Sequence, residues 1–360
     1  MKFDTLCVHG GRKTYDNTGS IVTPIFQTAT FARGSVGGGT GYDYSRLQNP
    51  TREQLELRIA ALDGGCDALA FSSGMAAISV LMEMFETGGH LIISDDLYGG
   101  TLRFFNNVSE KKGLSFSELS ETEDLEKLIR INTKAVFIET PTNPMMKTFD
   151  LKKISEITRR RGLMLIVDNT FLTPYFQRPI DLGADAVVYS GTKYLAGHND
   201  TLAGFLVVNN AELSEKLRFL YKTTGSCLSP LDSWLVLRGL KTLHLRMERQ
   251  NNSAQRIAEF LYRHPNVEKA LYPGIGGMIS FYVKDEALAR ASLEKLNLIY
   301  FAESLGGVET LITYPMTQTH ADIPCADRER KGINGKLLRI SVGIEDPDDI
   351  ISDLNEALKG

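Results

Sequence analysis

One short segment of the chain combines a lysine with hydroxyl side chains. Lys193 comes just after an apolar run that ends near Tyr189, between Ser190 and Thr192 on one side and a glycine-rich turn on the other. A lysine in such a place is either a solvated surface residue or an amine activated by burial, which can form a Schiff base. The segment alone leaves both interpretations open.

A carboxylate earlier in the chain favours the second interpretation. Asp168 ends the apolar run that begins at Leu163. Side chains at the carboxyl ends of buried parallel strands lie where open α/β sheets bind ligands. A Schiff-base lysine and a carboxylate for a pyridine nitrogen are what pyridoxal 5'-phosphate requires of a protein. Lys193 and Asp168 together therefore favour this cofactor.

A phosphate-binding segment fits the same hypothesis. Ser72–Ala77 follow the apolar run Ala68–Phe71 and open a helical pattern. Backbone N–H groups and the helix dipole at such a helix start favour a phosphate, although an ordinary capped helix shows the same pattern. The glycine motifs of dinucleotide-binding folds and of P-loops do not occur in the positions that those folds need.

Composition excludes several classes of protein. Of 360 residues, 42% are hydrophobic and 23% charged, with a net charge of −4 and no basic run longer than Arg159–Arg161, so we expect no nucleic-acid surface. No uncharged stretch reaches the roughly 18 residues of a membrane span, and the first residues lack the apolar core of a signal peptide. We therefore expect a cytoplasmic protein. The four cysteines are far apart and indicate reduced thiols, with no disulfide frame and no metal site.

The elements that must position these residues alternate along the chain. Short apolar runs separated by amphipathic helical segments favour a mainly parallel sheet covered on both faces. The runs are Ala68–Phe71, Leu91–Ser94, Ala135–Glu139, Leu163–Asp168, Ala186–Tyr189 and Phe205–Val208. The helical segments are Met75–Phe85, Thr101–Lys111, Leu151–Arg161 and Leu213–Tyr221.

The two ends of the chain depart from this alternation. Residues 1–50 are rich in glycine and predict an extended arm, followed by a helix that Thr51 caps and Gly64 closes. Near the other end, one long helix is predicted from Leu231 to Arg263. Strands follow it at Met278–Val283, Ile299–Ala302, Thr310–Thr313 and Leu338–Val342, and a last helix at Asp348–Leu358. We predict an arm (1–50), a cofactor-binding large domain (51–230) and a C-terminal α+β domain (231–360).

The chain resembles the Cys/Met-metabolism pyridoxal-phosphate enzymes, the trans-sulfuration family, over nearly its whole length. The resemblance implies fold type I, with a mainly parallel sheet of the seven-stranded type and a smaller C-terminal α+β domain. Seven motifs occur in the family's order: Tyr44-Ser45-Arg46, Asn49-Pro50-Thr51, Ser73-Gly74-Met75, Leu97-Tyr98-Gly99-Gly100-Thr101, Glu139-Thr140-Pro141-Thr142-Asn143-Pro144, Asp168-Asn169-Thr170 and Ser190–His198.

The resemblance implies roles for the cofactor-binding residues. Lys193 resembles the Schiff-base lysine that later carries protons, Asp168 the partner of the ring nitrogen, and Tyr98 the aromatic residue stacked on the ring. Tyr44 and Arg46 resemble the pair that reaches the cofactor phosphate of the neighbouring subunit, which implies a homo-oligomer, with a dimer of dimers expected. The residues that match the phosphate binders are Gly74, Met75, Ser190 and Thr192.

Other positions match the substrate-binding residues of the family. Asn143, Ser304 and Arg339 match positions around the α-carboxylate, where an arginine can bind both oxygens. Glu303 follows the pattern of cystathionine gamma-synthases and gamma-lyases, although some bacterial β-lyases share it. Arg103 is a possible contact for a distal anion, or a solvated helix residue. We expect Lys193 to move the Cα and Cβ protons and rank His198 and His320 below it as bases.

Within the family the chain is most similar to the cystathionine gamma-synthase/O-acetylhomoserine thiolyase type. Methionine gamma-lyases carry a cysteine where Gly100 stands, and Leu47 stands where succinyl-ester enzymes have a second arginine. The resemblance thus implies γ-replacement on an O-acylhomoserine with cysteine or sulfide. Elimination from cystathionine, as a β-lyase or γ-lyase, and a pyridoxal-phosphate-binding protein without turnover are the alternatives.

Overall fold

The large sheet carries the predicted strand pattern. The computed structural model describes residues 1–15, 18–318, 321 and 324–359. Seven strands lie in the order β1-β7-β6-β5-β4-β2-β3. All neighbours from β3 to β6 are parallel, whereas β7 is antiparallel to both β6 and β1. The mainly parallel sheet is therefore confirmed. Its strands are β1 (Asp67–Phe71), β2 (His90–Ser94), β3 (Ser115–Leu119), β4 (Thr133–Glu139), β5 (Met164–Asp168), β6 (Ala186–Ser190) and β7 (Gly204–Val208).

A second, smaller sheet follows in the chain, as predicted. Its five strands lie in the order β10-β11-β12-β9-β8 and are mostly antiparallel. They are β8 (Val267–Leu271), β9 (Met278–Val283), β10 (Tyr300–Phe301), β11 (Leu311–Thr313) and β12 (Leu337–Ser341).

Helices cover both sheets. Those before the second sheet are α1 (Phe3–His9), α2 (Pro50–Asp63), α3 (Gly74–Met82), α4 (Gly99–Phe104), α5 (Leu125–Leu128), α6 (Leu151–Arg161), α7 (Thr173–Phe176), α8 (Ala211–Thr224), α9 (Pro230–Leu240) and α10 (Leu243–Arg263). The later ones are α11 (Glu286–Lys295), α12 (Cys325–Arg330) and α13 (Pro347–Ala357). None of the described helices is long and apolar enough to cross a membrane.

Burial of both faces explains the continuous apolar strands. In β4, Val136 and Ile138 pack into one core cluster, and Ala135 and Phe137 pack into the cluster on the opposite face. The second sheet has a third cluster of its own. Helix α10 contributes to two clusters, with Met247 in the first and later residues such as Ile257 in the third. The division of the chain at residues 50 and 230 stays a prediction.

Two expectations for the first fifty residues were wrong. Phe3–His9 form a helix, because Phe3, Leu6 and Cys7 share one face and pack against the first core cluster. The cap of α2 is Asn49, whose side chain accepts the N–H of Thr51 at 3.0 Å, with Pro50 in the first helical position. Gly64 closes that helix in the left-handed conformation, as predicted.

The long C-terminal helix is two helices. The chain leaves helical geometry at Thr242, between α9 and α10. Gly239 packs so closely that a Cβ there would lie 2.1 Å from the carbonyl oxygen of Ala196. Arg246 then bridges the junction by donating to the carbonyl oxygens of Gly239 and Tyr194, at 2.9 and 2.7 Å. A tertiary contact thus ends a pattern that is continuous in the sequence.

Two strands were not predicted, β3 and β8. Each lies at the edge of its sheet, and most of its residues are only partly buried. Their polar composition lacks the apolar run that identified the central strands. Pairing with a neighbouring strand, and not an apolar sequence pattern, therefore identifies edge strands of this kind.

Candidate active site

The carboxyl ends of the central strands surround one cavity of about 210 Å³. Glu139 ends β4, Asp168 ends β5 directly beside it, and Ser190 ends β6. The structure brings together the predicted residues Gly74, Met75, Tyr98, Asn143, Asp168, Ser190, Thr192, Lys193, Glu303, Ser304 and Arg339 as lining residues. Strand direction explains why Asp168, Ser190 and Lys193 meet here, because parallel strands end at the same edge of the sheet, whereas Arg339 comes from the second sheet.

Lys193 reaches the cavity from the turn after β6. Its backbone N–H donates to the carbonyl oxygen of Ser190, and its Nζ donates to Ser304 Oγ at 3.2 Å. Burial, and then the charge of Arg339, lower the pKa of Lys193 to about 8, although Glu303 opposes the shift. An amine with this pKa is partly neutral near pH 7, so it can act as a nucleophile or a base.

Asp168 is held by the residue two positions after it. One carboxylate oxygen accepts the N–H of Thr170 at 3.0 Å and its hydroxyl at 2.6 Å. Burial raises the pKa of Asp168 to about 6, and the hydrogen bonds from Thr170 oppose the rise. The carboxyl is therefore mainly ionised at neutral pH. Thr170 Oγ1 also accepts the N–H of Ser190 and so joins the ends of β5 and β6.

The start of α3 forms one wall of the cavity. Ser73 caps the helix by accepting the N–H of Ala76 at 3.1 Å, and Gly74 and Met75 line the cavity. A Cβ at Gly74 would lie 3.1 Å from the Cα of Ser190, so a small residue is needed for this approach. The backbone N–H groups of the first turn of α3 thus lie near the hydroxyl side chains of the turn after β6. Both kinds of group can donate hydrogen bonds to a phosphate.

Arg339 comes from β12 of the second sheet and is 1% exposed. Its Nη1 donates to Asn143 Oδ1 at 2.6 Å, and its Nη2 donates to Thr313 Oγ1 at 3.1 Å and to the Ser304 carbonyl at 3.3 Å. Burial lowers its pKa to about 10, which leaves the guanidinium charged. Its Nε has no hydrogen-bond partner among the described residues. A buried N–H of this kind suits an anionic ligand.

Tyr98, from the turn after β2, and Glu303, from the turn after β10, complete the lining of the cavity. Burial, and then the charge of Glu303, raise the pKa of Tyr98, so its hydroxyl stays protonated near neutral pH. A Cβ at Gly100 would lie 2.5 Å from the Tyr98 ring. The ring can therefore hold its position only if residue 100 has no side chain. Arg103 lies outside this cavity and lines a neighbouring one of about 880 Å³.

Tyr44 and Arg46 do not line the cavity of their own chain. Arg46 donates to the carbonyl oxygen of Lys222, and its guanidinium lies 5.5 Å from the centre of the Tyr44 ring. Both residues are thus on a separate surface of the same chain. His198 bonds the carbonyl of Ala196 through Nδ1 and is also not a lining residue. His320 lies outside the described residues.

The structure also adds lining residues to which the sequence assigned no role. They include Ile78, Thr101, Glu139, Thr170, Phe171, Leu202 and Leu305. Glu139 could have been found by the signal that identified Asp168, since it too is an acid at the end of an apolar strand. The apolar members had no such signal, because core residues have the same composition.

Comparison with known proteins decides the family. The model of the Cys/Met metabolism PLP-dependent enzymes matches residues 4–359. The chain belongs to this family. Cystathionine gamma-synthase of Haemophilus influenzae is 50% identical over 359 residues, covering 98% of this chain and 97% of that protein. Cystathionine gamma-lyase of Bacillus subtilis is 47% identical, with full coverage of both chains.

Two further similarities bear on activity and fold. Cystathionine gamma-synthase/O-acetylhomoserine (thiol)-lyase of Bacillus subtilis is 49% identical, covering 97% of this chain and 94% of that protein. The structure of cystathionine gamma-lyase from Lactobacillus plantarum with L-serine superposes with a TM-score of 0.97 at 39% identity, covering 99% of this chain and 98% of that one. Gamma-synthases, gamma-lyases and beta-lyases all occur among the relatives, so family membership establishes trans-sulfuration chemistry without selecting one reaction.

The cavity fits the cofactor of this family, pyridoxal 5'-phosphate. A largely buried amine on Lys193, an ionised buried carboxylate on Asp168 and a helix start at Gly74 lie around one space. These are the groups that a ring aldehyde, a ring nitrogen and a phosphate need. Among the described residues, no group of three or more His, Cys, Asp or Glu side chains could hold a metal ion.

Proposed function

We propose that this protein catalyses γ-replacement on an O-acylhomoserine, with an acetyl ester and with cysteine or sulfide as the thiol. Family membership supplies the trans-sulfuration chemistry. The finer proposal depends on the cations of the cavity. In the described part of the chain, Lys193 and Arg339 are the only cationic lining residues.

Each of these two cations has another task. Arg339 would bind the substrate α-carboxylate, because Asn143 orients its fork and its Nε has no hydrogen-bond partner in the part of the chain that the structure describes. Lys193 must bind the cofactor and then move protons. No lining cation is left for a distal succinyl carboxylate, whereas an acetyl group carries no charge. The absence of a third cation from the lining of the chain itself, with Arg46 of the neighbouring copy assigned below to the cofactor phosphate, is the observation that supports the acetyl ester.

The remaining groups fit the proposed reaction. The cofactor, when bound, supplies an electron sink for the carbanion at Cα. We propose that Lys193 removes the Cα proton and then a Cβ proton, while Ser304 holds its amine at 3.2 Å. Glu303 would bind the ammonium group of an incoming cysteine. Asp168 would hold the proton on the ring nitrogen.

Product analysis tests the proposal. The purified protein with bound pyridoxal phosphate is given cysteine and either O-acetylhomoserine or O-succinylhomoserine, and cystathionine is quantified by mass spectrometry. We expect kcat/KM at least about tenfold higher for the acetyl ester, since an unpaired buried charge costs more than 1.4 kcal/mol. A preference for the succinyl ester would contradict the argument from the cavity.

Cystathionine alone provides the second arm of the test. The 47% identity to a gamma-lyase makes elimination the competing function. A γ-elimination releases cysteine, 2-oxobutanoate and ammonia, whereas a β-elimination releases homocysteine, pyruvate and ammonia. Rapid release of either keto acid, with no cystathionine made from O-acetylhomoserine, would contradict the proposed synthase activity and favour a lyase.

We also propose that each site is shared between two copies of the chain. Tyr44 and Arg46 would reach the cofactor phosphate of the neighbouring subunit, with a dimer as the smallest active unit and a dimer of dimers as the full assembly. Neither residue lines the cavity of its own chain, and this supports the proposal.

A further inference from the structure

One buried acid of the cavity has no task in the proposed reaction. Glu139 ends β4, pairs in register with Asp168 of β5, and is 6% exposed. Asp168 already supplies the carboxylate for the ring nitrogen. Burying a second acid at the same edge of the sheet costs free energy unless hydrogen bonds to the acid offset the loss of hydration.

The contacts of Glu139 are two backbone N–H groups from different loops. The N–H of Tyr98 donates to Glu139 Oε2 at 2.9 Å. The backbone of Asn143 makes a second hydrogen bond, which lowers the pKa of the acid. The N–H of Glu139 itself donates to Ser94 Oγ at 2.8 Å and so fixes the backbone that carries the carboxyl group. Residue 139 therefore connects the segments of Ser94, Tyr98 and Asn143, the first through its backbone and the other two through its side chain.

The two tethered residues carry opposite sides of the site. Tyr98 is the residue proposed to stack on the cofactor ring. Asn143 orients Arg339 through the 2.6 Å hydrogen bond to Nη1. The ring-stacking side chain and the carboxylate-binding arginine thus depend on loops that meet at one carboxyl group. A displacement of about 1 Å between such groups reduces rates by about a hundredfold.

We propose that Glu139 is a positioning residue, which sets the separation between Tyr98 and the Asn143–Arg339 pair by holding both loop backbones. The inference rests on the role of Arg339 given under the proposed function and on the ring-stacking role that the family resemblance implies for Tyr98. Glu139 itself needs no contact with the substrate.

The charge of Glu139 agrees with this role. Burial, and then the neighbouring charge of Asp168, raise its pKa well above the ordinary value. The pKa of Asp168 is about 6, so that acid is mainly ionised at neutral pH. Glu139→Gln preserves the shape of the side chain but replaces one acceptor oxygen by an NH₂ group, which cannot accept a backbone N–H.

Hydrogen exchange in the cofactor-free protein tests the tether directly. In Glu139→Ala the amides of Tyr98 and Asn143 should exchange about tenfold faster, and in Glu139→Gln, which keeps one acceptor oxygen, the increase should be smaller. Asp63→Asn is the matched control, since Asp63 is a buried acid with its pKa raised to about 7 and lies outside the cavity. The control should leave both amides unchanged.

Spectroscopy and kinetics of the holoenzyme separate positioning from mere stability. We expect Glu139→Ala to change the circular dichroism of the bound cofactor and to lower kcat/KM by about a hundredfold. In the double variant Glu139→Ala/Tyr98→Ala, kcat/KM should be less than tenfold below that of Tyr98→Ala alone. The two effects overlap because Glu139 acts partly through Tyr98. Asp63→Asn should change neither the dichroism nor kcat/KM.

The outcomes are distinct. Unchanged amide exchange, or kinetic losses that multiply in full in the double variant, would overturn the proposal. Loss of thermal stability alone, as in the control, would also overturn it. If Glu139→Ala does not fold, Glu139→Gln takes its place in each measurement. Exchange and dichroism need no turnover, so they remain decisive even if the proposed reaction is wrong.

Discussion

Replacing Arg339 by lysine tests the substrate-binding geometry while keeping the charge. Arg339 donates to Asn143, Thr313 and Ser304 at 2.6, 3.1 and 3.3 Å, and its Nε has no hydrogen-bond partner within the described ranges. A lysine ammonium is a point charge and cannot form a planar fork with a carboxylate. The variant should therefore lose one charge-assisted hydrogen bond to the substrate.

The expected size of the effect follows from that bond. A hydrogen bond to a charged group contributes about 1.5–3 kcal/mol, which corresponds to a KM for the amino-acid substrate roughly 10- to 150-fold higher. The kcat should fall less, since Lys193 and Asp168 are unchanged. Steady-state kinetics with O-acetylhomoserine and saturating cysteine measure both parameters, and thermal denaturation measures stability.

Arg246→Lys is the matched control for this experiment. Arg246 is also buried, has its pKa lowered to about 10, and donates to Tyr194, Gly239 and Thr242 at 2.7, 2.9 and 3.2 Å. It does not line the cavity. Both variants should lose stability, but only Arg339→Lys should raise KM. Equal KM values for the wild type and Arg339→Lys would refute the assignment of Arg339 to the α-carboxylate.

Four other outcomes are expected. Lys193→Ala should abolish turnover and the absorbance of the cofactor–lysine linkage, and a borohydride-reducible adduct in that variant would contradict the assignment. Asp168→Asn should lower kcat by more than about tenfold with an unchanged fold by circular dichroism, because a neutral amide holds the ring proton weakly. The rate of cofactor capture by the cofactor-free protein should rise with pH and level off above about 8, since the neutral amine of Lys193 is the nucleophile; stopped-flow absorbance would show it. Mixed subunits of Arg46→Ala and Lys193→Ala should regain activity.

The sequence predicted the parts of this protein that rest on local pattern. Asp168 and Lys193 follow apolar strands, and the direction of parallel strands brings such positions together without further information. Glu139 carried the same signal as Asp168, but only the neighbouring backbone of Tyr98 and Asn143 gives it a role. Arg339 and Ser304 were assigned by resemblance, because pattern alone cannot bring a second sheet to the first.

Tertiary contacts account for the errors. The division between α9 and α10 depends on the approach of Gly239 to Ala196, which periodicity cannot show. Strands β3 and β8 are polar edge strands, and their pairing partners define them. Asn49 precedes a proline in the first helical position, so the cap lies two residues before the predicted Thr51.

The mixed-subunit prediction depends on where Arg46 lies. In its own chain Arg46 binds the carbonyl of Lys222, and it is not a lining residue of the cavity that contains Lys193. If it acts on a neighbouring cavity, a charge-assisted bond to the phosphate contributes roughly 1.5–3 kcal/mol. Arg46→Ala should then bind the cofactor about one to two decades more weakly. At a limiting concentration of cofactor, this variant should therefore be nearly inactive.

Subunit exchange converts this geometry into a measurable activity. In a mixed dimer, one cavity receives an intact Lys193 from one chain and an intact Arg46 from the other, and the second cavity receives both substitutions. Random pairing of equal amounts in closed two-fold dimers gives about a quarter of the wild-type sites. Activity at limiting cofactor should rise toward that fraction as exchange proceeds, with mass spectrometry of differently tagged chains confirming the mixture. Confirmed exchange without recovered activity would mean that Arg46 serves no neighbouring cavity, and the shared site would have to be abandoned.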